Sequence, residues 1–338
     1  MVSVGIIGAS GYTGVELLRI LAQHPQMDVV YATGDTQAGT RAAALYPSLA
    51  VAYPSLVFES FDIDRAKGLD VVFLGLPHEA SMALAPQLVG EVGVVVDLSA
   101  AYRLKNAGLY PRWYGFVHDQ PEMLAEAVFG LPELFRSELK GARLIATPGC
   151  HVTAASLALA PLVQLGLIET TGIIINSITG VSGAGRGLKH TNLFCTVDED
   201  VTAYGLLDHR HTPEIEQVVG AQVLFTPHLA PMNRGILATC TARPKGTTAT
   251  AELIEAVRSF YAGEPFVSVS ENSPSTKAVL GTNCAHLTVR FDERTNTVLV
   301  ISAIDNLAKG ASGGAVQAAN VAIGIEETMG LSTVGLYP

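Results

Sequence analysis

Charge is scarce in this chain. Only 15% of its 338 residues are Asp, Glu, Lys or Arg, and 21 Lys and Arg against 31 Asp and Glu leave a net charge of −10. No Lys/Arg cluster supplies the basic field of a nucleic-acid binder, so that class of partner is not expected. Cysteine is also sparse. Cys150, Cys195, Cys240 and Cys284 stand far apart without a CxxC pair, which argues against a disulfide framework or a cysteine zinc site and for a reduced setting. No HxxxH or His/Asp/Glu cluster has good ligand spacing, so no metal is expected. No apolar run reaches membrane-spanning length, and no basic leader precedes the strand-like Val2–Ile7. The expectation is a soluble, cytoplasmic protein without a membrane partner.

What the chain has in quantity is apolar surface. Hydrophobic residues make up 49% of the sequence, enough for a well-buried enzyme-like globule, and the length exceeds what one compact core holds in most folds, so two domains are expected. No internal repeat or low-complexity linker interrupts it.

The first stretch reads as strand, glycine turn, helix, strand. After Val2–Ile7 come Gly8-Ala-Ser10-Gly11-Tyr12-Thr13-Gly14, a helically spaced run Val15–Ala22 stopped by Pro25, and a second strand, Met27–Thr33. This is the βαβ context that dinucleotide binding requires, with the spacing GxxGxxG in place of GxGxxG. Such glycines permit a tight turn and close approach of a pyrophosphate to the helix N-terminus. After the second strand, Thr33, Thr36 and Arg41 suit a 2′-phosphate while Asp35 opposes it, a mixed signal for NADP against NAD. The near-continuous apolar runs Asp70–Leu76 and Val92–Asp97 read as strands buried on both faces of a parallel sheet. The loops that follow them, Pro77-His78-Glu79 and Asp97–Arg103, should border a ligand at the strands' carboxyl ends. Arg103 is the cation there aimed at an anion, or else the partner in a surface salt bridge.

The run Ala146-Thr147-Pro148-Gly149-Cys150 joins a strand to a long apolar stretch, Val152–Leu165, that reads as a buried helix. Thr147 suits the N-cap and Pro148 the first helical position, which places Cys150 in the first turn, where unpaired N–H groups and the helix dipole favour a thiolate. A buried structural cysteine is the alternative. Beyond residue 166 the pattern changes. Residues 172–178, 222–226 and 235–242 read as strands and 251–262 as a helix, while 286–304 is a hairpin about Asp292–Asn296. This is an antiparallel α+β pattern, with a final helix over 312–329 suited to pack back on the first domain. The change of pattern falls close to Cys150, at an expected domain junction.

A cysteine nucleophile needs a proton-handling partner. Asp208-His209-Arg210-His211-Thr-Pro-Glu214 supplies two histidines, and in extended chain they point opposite ways, so one is expected to reach Cys150. Glu214 is placed to orient that ring. His78, His118, His151, His190, His228 and His286 stand singly and read as structural or solvated. Ser182-Gly183-Ala-Gly185-Arg186 is a small-residue loop ending in a cation, either an anion-approaching loop or a flexible connector.

With these residues assembled, the chain resembles the N-acetyl-gamma-glutamyl-phosphate reductase family, within the semialdehyde dehydrogenases. The likeness runs through the glycine turn, Gly75–Ser81, Asp97–Arg103, Tyr114-Gly115, Gly130–Leu134, Thr147–Cys150, Ser182–Arg186, His209–Ile215, Pro231–Gly235 and Ile304–Gln317. Two positions depart from the family pattern: His151 replaces an aromatic residue, and Thr33-Gly34-Asp35 replaces a Ser-Arg-type pair. The resemblance implies an α/β Rossmann-like cofactor domain over 1–149 with 307–338, and an α+β catalytic and oligomerisation domain with a mainly antiparallel sheet over 150–306. It implies NADPH-dependent reduction of an acyl phosphate to an aldehyde through a Cys150 thioester, NAD being tolerated through Asp35. His209 would be the acid, oriented by Glu214. Gly8, Ser10, Gly11, Tyr12, Thr13, Gly14, Thr33, Arg41, Pro77, Ser182, Gly183 and Asn306 would contact the cofactor. Arg103, Arg186 and His211 would contact the substrate. A homo-oligomer, dimer or tetramer, is implied too. Competing readings are a sister reductase acting on a carrier-linked aminoadipyl or glutamyl phosphate, and a non-catalytic nucleotide sensor.

Overall fold

The computed structural model describes residues 1–337, and the chain forms two compact units. One comprises Met1–Pro148 with Ala311–Leu331; the other comprises Gly149–Gly310 with the segment from Ser332.

The first unit is built on six parallel strands, β1 (Val2–Ile7), β2 (Met27–Ala32), β3 (Val71–Leu74), β4 (Val94–Asp97), β5 (Val128–Phe129) and β6 (Leu144–Ala146), in the order β2-β1-β3-β4-β6-β5. Every residue of β3, β4 and β6 is buried, because both faces of the sheet are covered. Strand alternation divides the core: Val94 and Val96 face one cluster with Leu17, Leu18, Ala315 and Val316, and Val95 faces the other with Leu84, Leu88, Tyr102 and Tyr110. Each large side chain buried this way contributes roughly 1.5–3 kcal/mol. The helix Gly313–Ala322 packs here through Gly313, Gly314, Ala315, Ala318 and Ala319, whose small size permits close approach. It stops at Ala322 rather than running on to 329, because Gly324 takes a φ of +76° and Asn320 Nδ2 donates to the carbonyls of Glu327 and Met329. The tail is pinned by Arg136–Glu327 at 2.8 Å.

The second unit is a seven-stranded mixed sheet: β7 (Ile173–Gly180), β8 (Thr202–Ala203), β9 (Val223–Ala230), β10 (Ile236–Ala242), β11 (Val267–Val269), β12 (Ala285–Asp292) and β13 (Thr297–Ile304), ordered β11-β12-β13-β10-β7-β9-β8. The pairs β7–β9 and β11–β12 are parallel and the other four are antiparallel. The hairpin β12–β13 turns at the expected residues, with Asn296 at φ 49° and Thr295 Oγ1 donating to Asp292. The helices Cys150–Gln164 and Thr250–Phe260 cover one face of this sheet, and His211–Val219 packs on the first of them. The Cys150 helix is buried from His151 to Leu162. Among the described residues no helix is long and apolar enough to cross a membrane.

Candidate active site

In the first unit, the glycine turn is shaped by what a Cβ would strike. Gly8 sits at φ +90°, and a methyl there would come 2.4 Å from Gly75 O; at Gly14 it would come 2.4 Å from Ala9 Cα. Both positions therefore require glycine. Gly11 is the N-cap of the helix Tyr12–Leu21, makes no side-chain cap, and a methyl there would meet only Gly8 O at 3.7 Å. The first-turn N–H groups that a helix leaves unpaired thus open onto space, which fits a pyrophosphate. Thr33 lies behind the turn. It is 2% exposed, and its Oγ1 accepts the Gly8 N–H at 3.1 Å, so it shapes the turn and does not face a 2′-phosphate. Ser10 Oγ donates to Gly34 O at 3.2 Å and Ser312 Oγ to Thr13 O at 2.8 Å. Asp35 stands just beyond β2 at φ 44°, exposed, and Arg41 is also exposed.

Pro77 caps the helix His78–Leu88. His78 Nδ1 accepts the Ala100 N–H at 3.0 Å, tying the Pro77 loop to the Asp97–Arg103 loop. Asp97 is fully buried and accepts from Ser99 N and Oγ; burial pushes its carboxyl above the usual range. Arg103 is 7% exposed and donates from Nη2 to Leu98 O at 2.9 Å. Its guanidinium is therefore buried and does not lie at the surface.

In the second unit, Cys150 is the first residue of its helix and Gly149 the N-cap, two positions later than Thr147 and Pro148 suggest. The chain stays extended because Thr147 N–H bonds Asp97 O at 2.8 Å, prolonging the β4–β6 pairing, and Thr147 Oγ1 caps nothing. Cys150 is half-buried. Gly310 lies against it: a methyl on Gly310 would come 2.9 Å from Cys150 Cβ.

The helix His211–Val219 brings the partners. His211 and Glu214 are three residues apart on one face, and both are buried. Glu214 Oε2 accepts the Gly149 N–H at 3.2 Å. His211 covers Gly149 so closely that a methyl there would come 2.2 Å from His211 Nε2. His209 and His211 do not diverge as an extended chain would make them. Thr212 N–H bonds His209 O, the backbone turns, and the two rings meet edge-on with centroids 4.7 Å apart. His151, expected to be structural or solvated on its own, joins them at 5.9 Å from His209 and 5.7 Å from His211. Its Nδ1 bonds Ser177 Oγ at 2.7 Å and its Nε2 bonds Tyr204 Oη at 3.1 Å. Phe225 closes the group at 5.4 Å from His151 and 5.2 Å from His209. Burial pushes His151 down to about 3 and His209 to about 4, so both rings are neutral at neutral pH. Tyr204 was not singled out by the sequence. The one signal was a Tyr-Gly pair five residues ahead of His209.

The Ser182 loop also has a built origin. Asn306, 2% exposed, donates from Nδ2 to Ser182 Oγ at 2.9 Å and accepts the Gly235 N–H at 2.7 Å. Asp305, fully buried, pairs with Arg234 at 3.0 Å. The motifs Pro231–Gly235 and Ile304–Gln317 thereby meet the turn that holds Ser182 and Gly183. Arg186 is exposed beyond it.

Residues 3–142 match the family profile "Semialdehyde dehydrogenase, NAD binding domain" and residues 150–306 match "Semialdehyde dehydrogenase, dimerisation domain". The chain belongs to the semialdehyde dehydrogenase family. Within that family it is 48% identical over 347 residues to a protein of Symbiobacterium thermophilum named N-acetyl-gamma-glutamyl-phosphate reductase, covering 100% of this chain and 99% of the relative. A Geobacter sulfurreducens protein of the same name is 47% identical, covering 100% of both. Among solved structures, aspartate semialdehyde dehydrogenase II of Vibrio cholerae, complexed with ASA, superposes with a TM-score of 0.70 at 15% identity, covering 95% of this chain and 98% of that one. The Candida albicans aspartate semialdehyde dehydrogenase with NADP gives 0.68 at 14% identity, covering 95% and 98%. At those identities the semialdehyde dehydrogenase likeness is one of fold.

Proposed function

We propose that the chain reduces N-acetyl-gamma-glutamyl phosphate to N-acetylglutamate 5-semialdehyde with release of phosphate, in arginine biosynthesis, using NADP and the Cys150 thiol. The observation that carries this reading is the start of the Cys150 helix. A half-buried cysteine stands at the positive end of a 15-residue helix, and its glycine cap is covered by His211 and bonded to Glu214. The dipole and the unpaired N–H groups there favour a thiolate and a developing oxyanion.

The glycine turn fits the nucleotide, which Gly8, Ser10, Gly11, Tyr12, Thr13 and Gly14 would hold beside Pro77. When bound, the reduced nucleotide supplies hydride. The protein's own residues do the rest. The Cys150 thiolate adds to the γ-carbonyl carbon, and the C–O bond to phosphate breaks with its electron pair leaving on phosphate, giving a thioester. Arg103 and Arg186 are the cations we assign to the phosphate. After reduction of that carbon, an imidazole would give the oxyanion its proton and take it back as the carbonyl re-forms and the C–S bonding pair leaves on sulfur, releasing the aldehyde and returning the thiolate. The contact with Gly149 supports His211 for the proton, with the His209 ring edge-on to it. Glu214, bonded to Gly149, holds the cap of the nucleophile's helix in place.

The dimerisation-domain match supports a homo-oligomer. So does the outer face of the second sheet, where the paired Ile174 and Leu224 are 41% and 46% exposed. A cytoplasmic location follows from the reduced thiols the reading requires.

The test is the reverse reaction. N-acetylglutamate 5-semialdehyde, phosphate and NADP should give phosphate-dependent nucleotide reduction that is abolished in Cys150→Ser, and Arg103→Ala should raise the KM for phosphate. Full activity in Cys150→Ser would overturn the reading.

A further inference from the structure

We propose that Tyr46 is a positioning residue for the nucleotide. Its hydroxyl fixes the middle peptide of the glycine turn and ties that turn to the short segment carrying Arg41, so the grip on a pyrophosphate and the grip on a 2′-phosphate are coupled. The inference rests on the reading of the glycine turn as the nucleotide site.

Three residues from outside the turn hold its backbone. Thr33 takes the first two N–H groups, that of Gly8 on Oγ1 at 3.1 Å and that of Ala9 on its carbonyl at 2.7 Å. Buried Ser312 donates to Thr13 O at the far end. Tyr46 Oη donates to Ser10 O in the middle, at 2.7 Å. The middle is where a brace matters most. Ser10 C=O and Gly11 N–H are opposite ends of one planar peptide unit, and the glycine that follows has no Cβ to resist its rotation. On the N–H side the restraint is Gly11 N–H to Gly8 O at 3.4 Å, longer than an ordinary N–H···O bond, whereas the phenol bond has the ordinary O–H···O length. Rotation of this unit changes φ at Gly11, the N-cap, and so re-aims the first-turn N–H groups of Tyr12, Thr13 and Gly14. The Tyr46 hydroxyl is what opposes that rotation.

Tyr46 also ends the segment that Arg41 begins. The chain between them makes one helical turn, Ala42–Leu45, with Arg41 as N-cap and Tyr46 as C-cap, closed by Tyr46 N–H to Ala42 O at 2.8 Å. Its start is held by Ala42 N–H to Leu56 O at 2.9 Å, and Leu45 and Tyr46 pack on the core of this unit. Arg41 itself is exposed. A single hydrogen-bonded turn thus carries a cation at one end and the brace of the glycine turn at the other. Ordering either end by a bound phosphate orders the other, because the phenol bond joins them.

The test reads nucleotide binding directly, by calorimetric titration of the whole protein with NADP and with NAD. Tyr46→Phe keeps the ring on the core and removes the hydroxyl. It should weaken NADP binding about three- to tenfold, the worth of one hydrogen bond, while the KM for phosphate stays unchanged. Coupling is read from a double-mutant cycle: the loss of NADP affinity caused by Arg41→Ala should be at least about twofold smaller in the Tyr46→Phe background than in the native one. Unchanged NADP affinity in folded Tyr46→Phe, or strictly additive losses, would overturn the proposal. If Tyr46→Phe folds poorly, hydrogen exchange on the unaltered protein carries the test. Saturating NADP should slow the amides of Ala42 to Tyr46 together with those of the glycine turn, and protection confined to the turn would overturn the coupling. Gly11→Ala tests the underlying reading separately. Its methyl meets only Gly8 O at 3.7 Å and so fits the fold, but it fills the space over the first helical turn. Unchanged NADP affinity there would remove the turn as the nucleotide site, whereas weakened binding in Gly11→Ala with none lost in Tyr46→Phe overturns this inference alone.

Discussion

Two α-helices among the described residues begin on a glycine that makes no side-chain cap, Gly11 and Gly149, and they use the same backbone chemistry in opposite ways. Gly11 opens onto space, so its helix offers unpaired N–H groups to an anion brought from outside. Gly149 is enclosed. His211 covers it, Glu214 takes its N–H, and the helix behind it offers its positive end to the covalently attached sulfur of Cys150. A bare helix start is thus a general anion site, and the residues packed around it decide whether the anion is a diffusible phosphate or a nucleophile.

The largest effect should come from the enclosed cap. We expect His211→Asn to lower kcat of the reverse reaction by about 10²–10⁴, the range for loss of a general acid, and His209→Asn, whose ring meets His211 edge-on, to cost about tenfold. Equal losses would mean the pair acts as a unit, and the reverse ranking would return the acid role to His209. Steady-state kinetics on both variants, with far-UV circular dichroism as a folding check, decides the order.

The two glycine regions should also fail differently when each gains a methyl group. In Gly14→Ala the new Cβ would lie 2.4 Å from Ala9 Cα, 2.5 Å from its carbonyl carbon and 2.5 Å from its oxygen. Backbone on both sides cannot step aside, so we expect a loss of about 3 kcal/mol in stability, at the upper end of overpacking costs. In Gly149→Ala the clash is with a side chain, the His211 ring, which rotates away. Stability should fall by only about 1 kcal/mol while turnover falls by at least about 100-fold, since the ring we assign as proton donor is displaced. Urea unfolding and kinetics on both variants read the contrast.

This contrast also explains how much of the molecule was legible in its sequence. The nucleotide turn is made of contiguous residues, and the apolar runs of β3 and β4 declare buried parallel strands, so both could be read in order. Cys150 was found from its helix start, although the extended Thr147, held to Asp97, moved that start to Gly149. The group around His151 and Gly149 was harder to read. Ser177, Tyr204, His209, Glu214 and Phe225 come from separate elements, and no local spacing says that β7 and β9 run parallel side by side under the same helix. His151 was noticed only as an oddity, because a lone histidine carries no signal until Ser177 and Tyr204 are seen at its two nitrogens. The order of His209 and His211 depended on one backbone turn at Thr212.

The histidine cage should make the second unit sensitive to acid in a way the glycine turn is not. His151 and His209 are held neutral in the folded protein, at about 3 and about 4, against an ordinary value of 6.5. Below that ordinary value the unfolded chain takes up protons that the folded chain refuses, so stability is full above about pH 6.5 and is lost as pH falls toward 4. Each ring contributes a slope of up to about 1.4 kcal/mol per pH unit across that window. Urea unfolding at several pH values should show the slope, and His151→Phe should reduce it by up to about 1.4 kcal/mol per pH unit. A parallel slope in the variant would place the acid sensitivity elsewhere.

The smallest expected effect belongs to the open turn. Asp35 follows β2 at φ 44°, exposed, where an acidic residue bonds ribose hydroxyls and repels a 2′-phosphate. Thr33 is not available to compensate, because its hydroxyl is buried against Gly8, which leaves Arg41 as the nearby cation for the phosphate. The carboxylate is well solvated, and exposed charge interactions are screened to about 0.2–1 kcal/mol. Asp35→Ser should therefore raise the NADP-over-NAD ratio of kcat/KM by only about two- to fivefold, and Arg41→Ala should lower it by a similar factor. A change of a hundredfold would mean that Asp35 touches the ribose directly and governs nucleotide choice alone. No change would mean that the choice is made by the backbone of the turn, the same groups that make Gly8 and Gly14 irreplaceable.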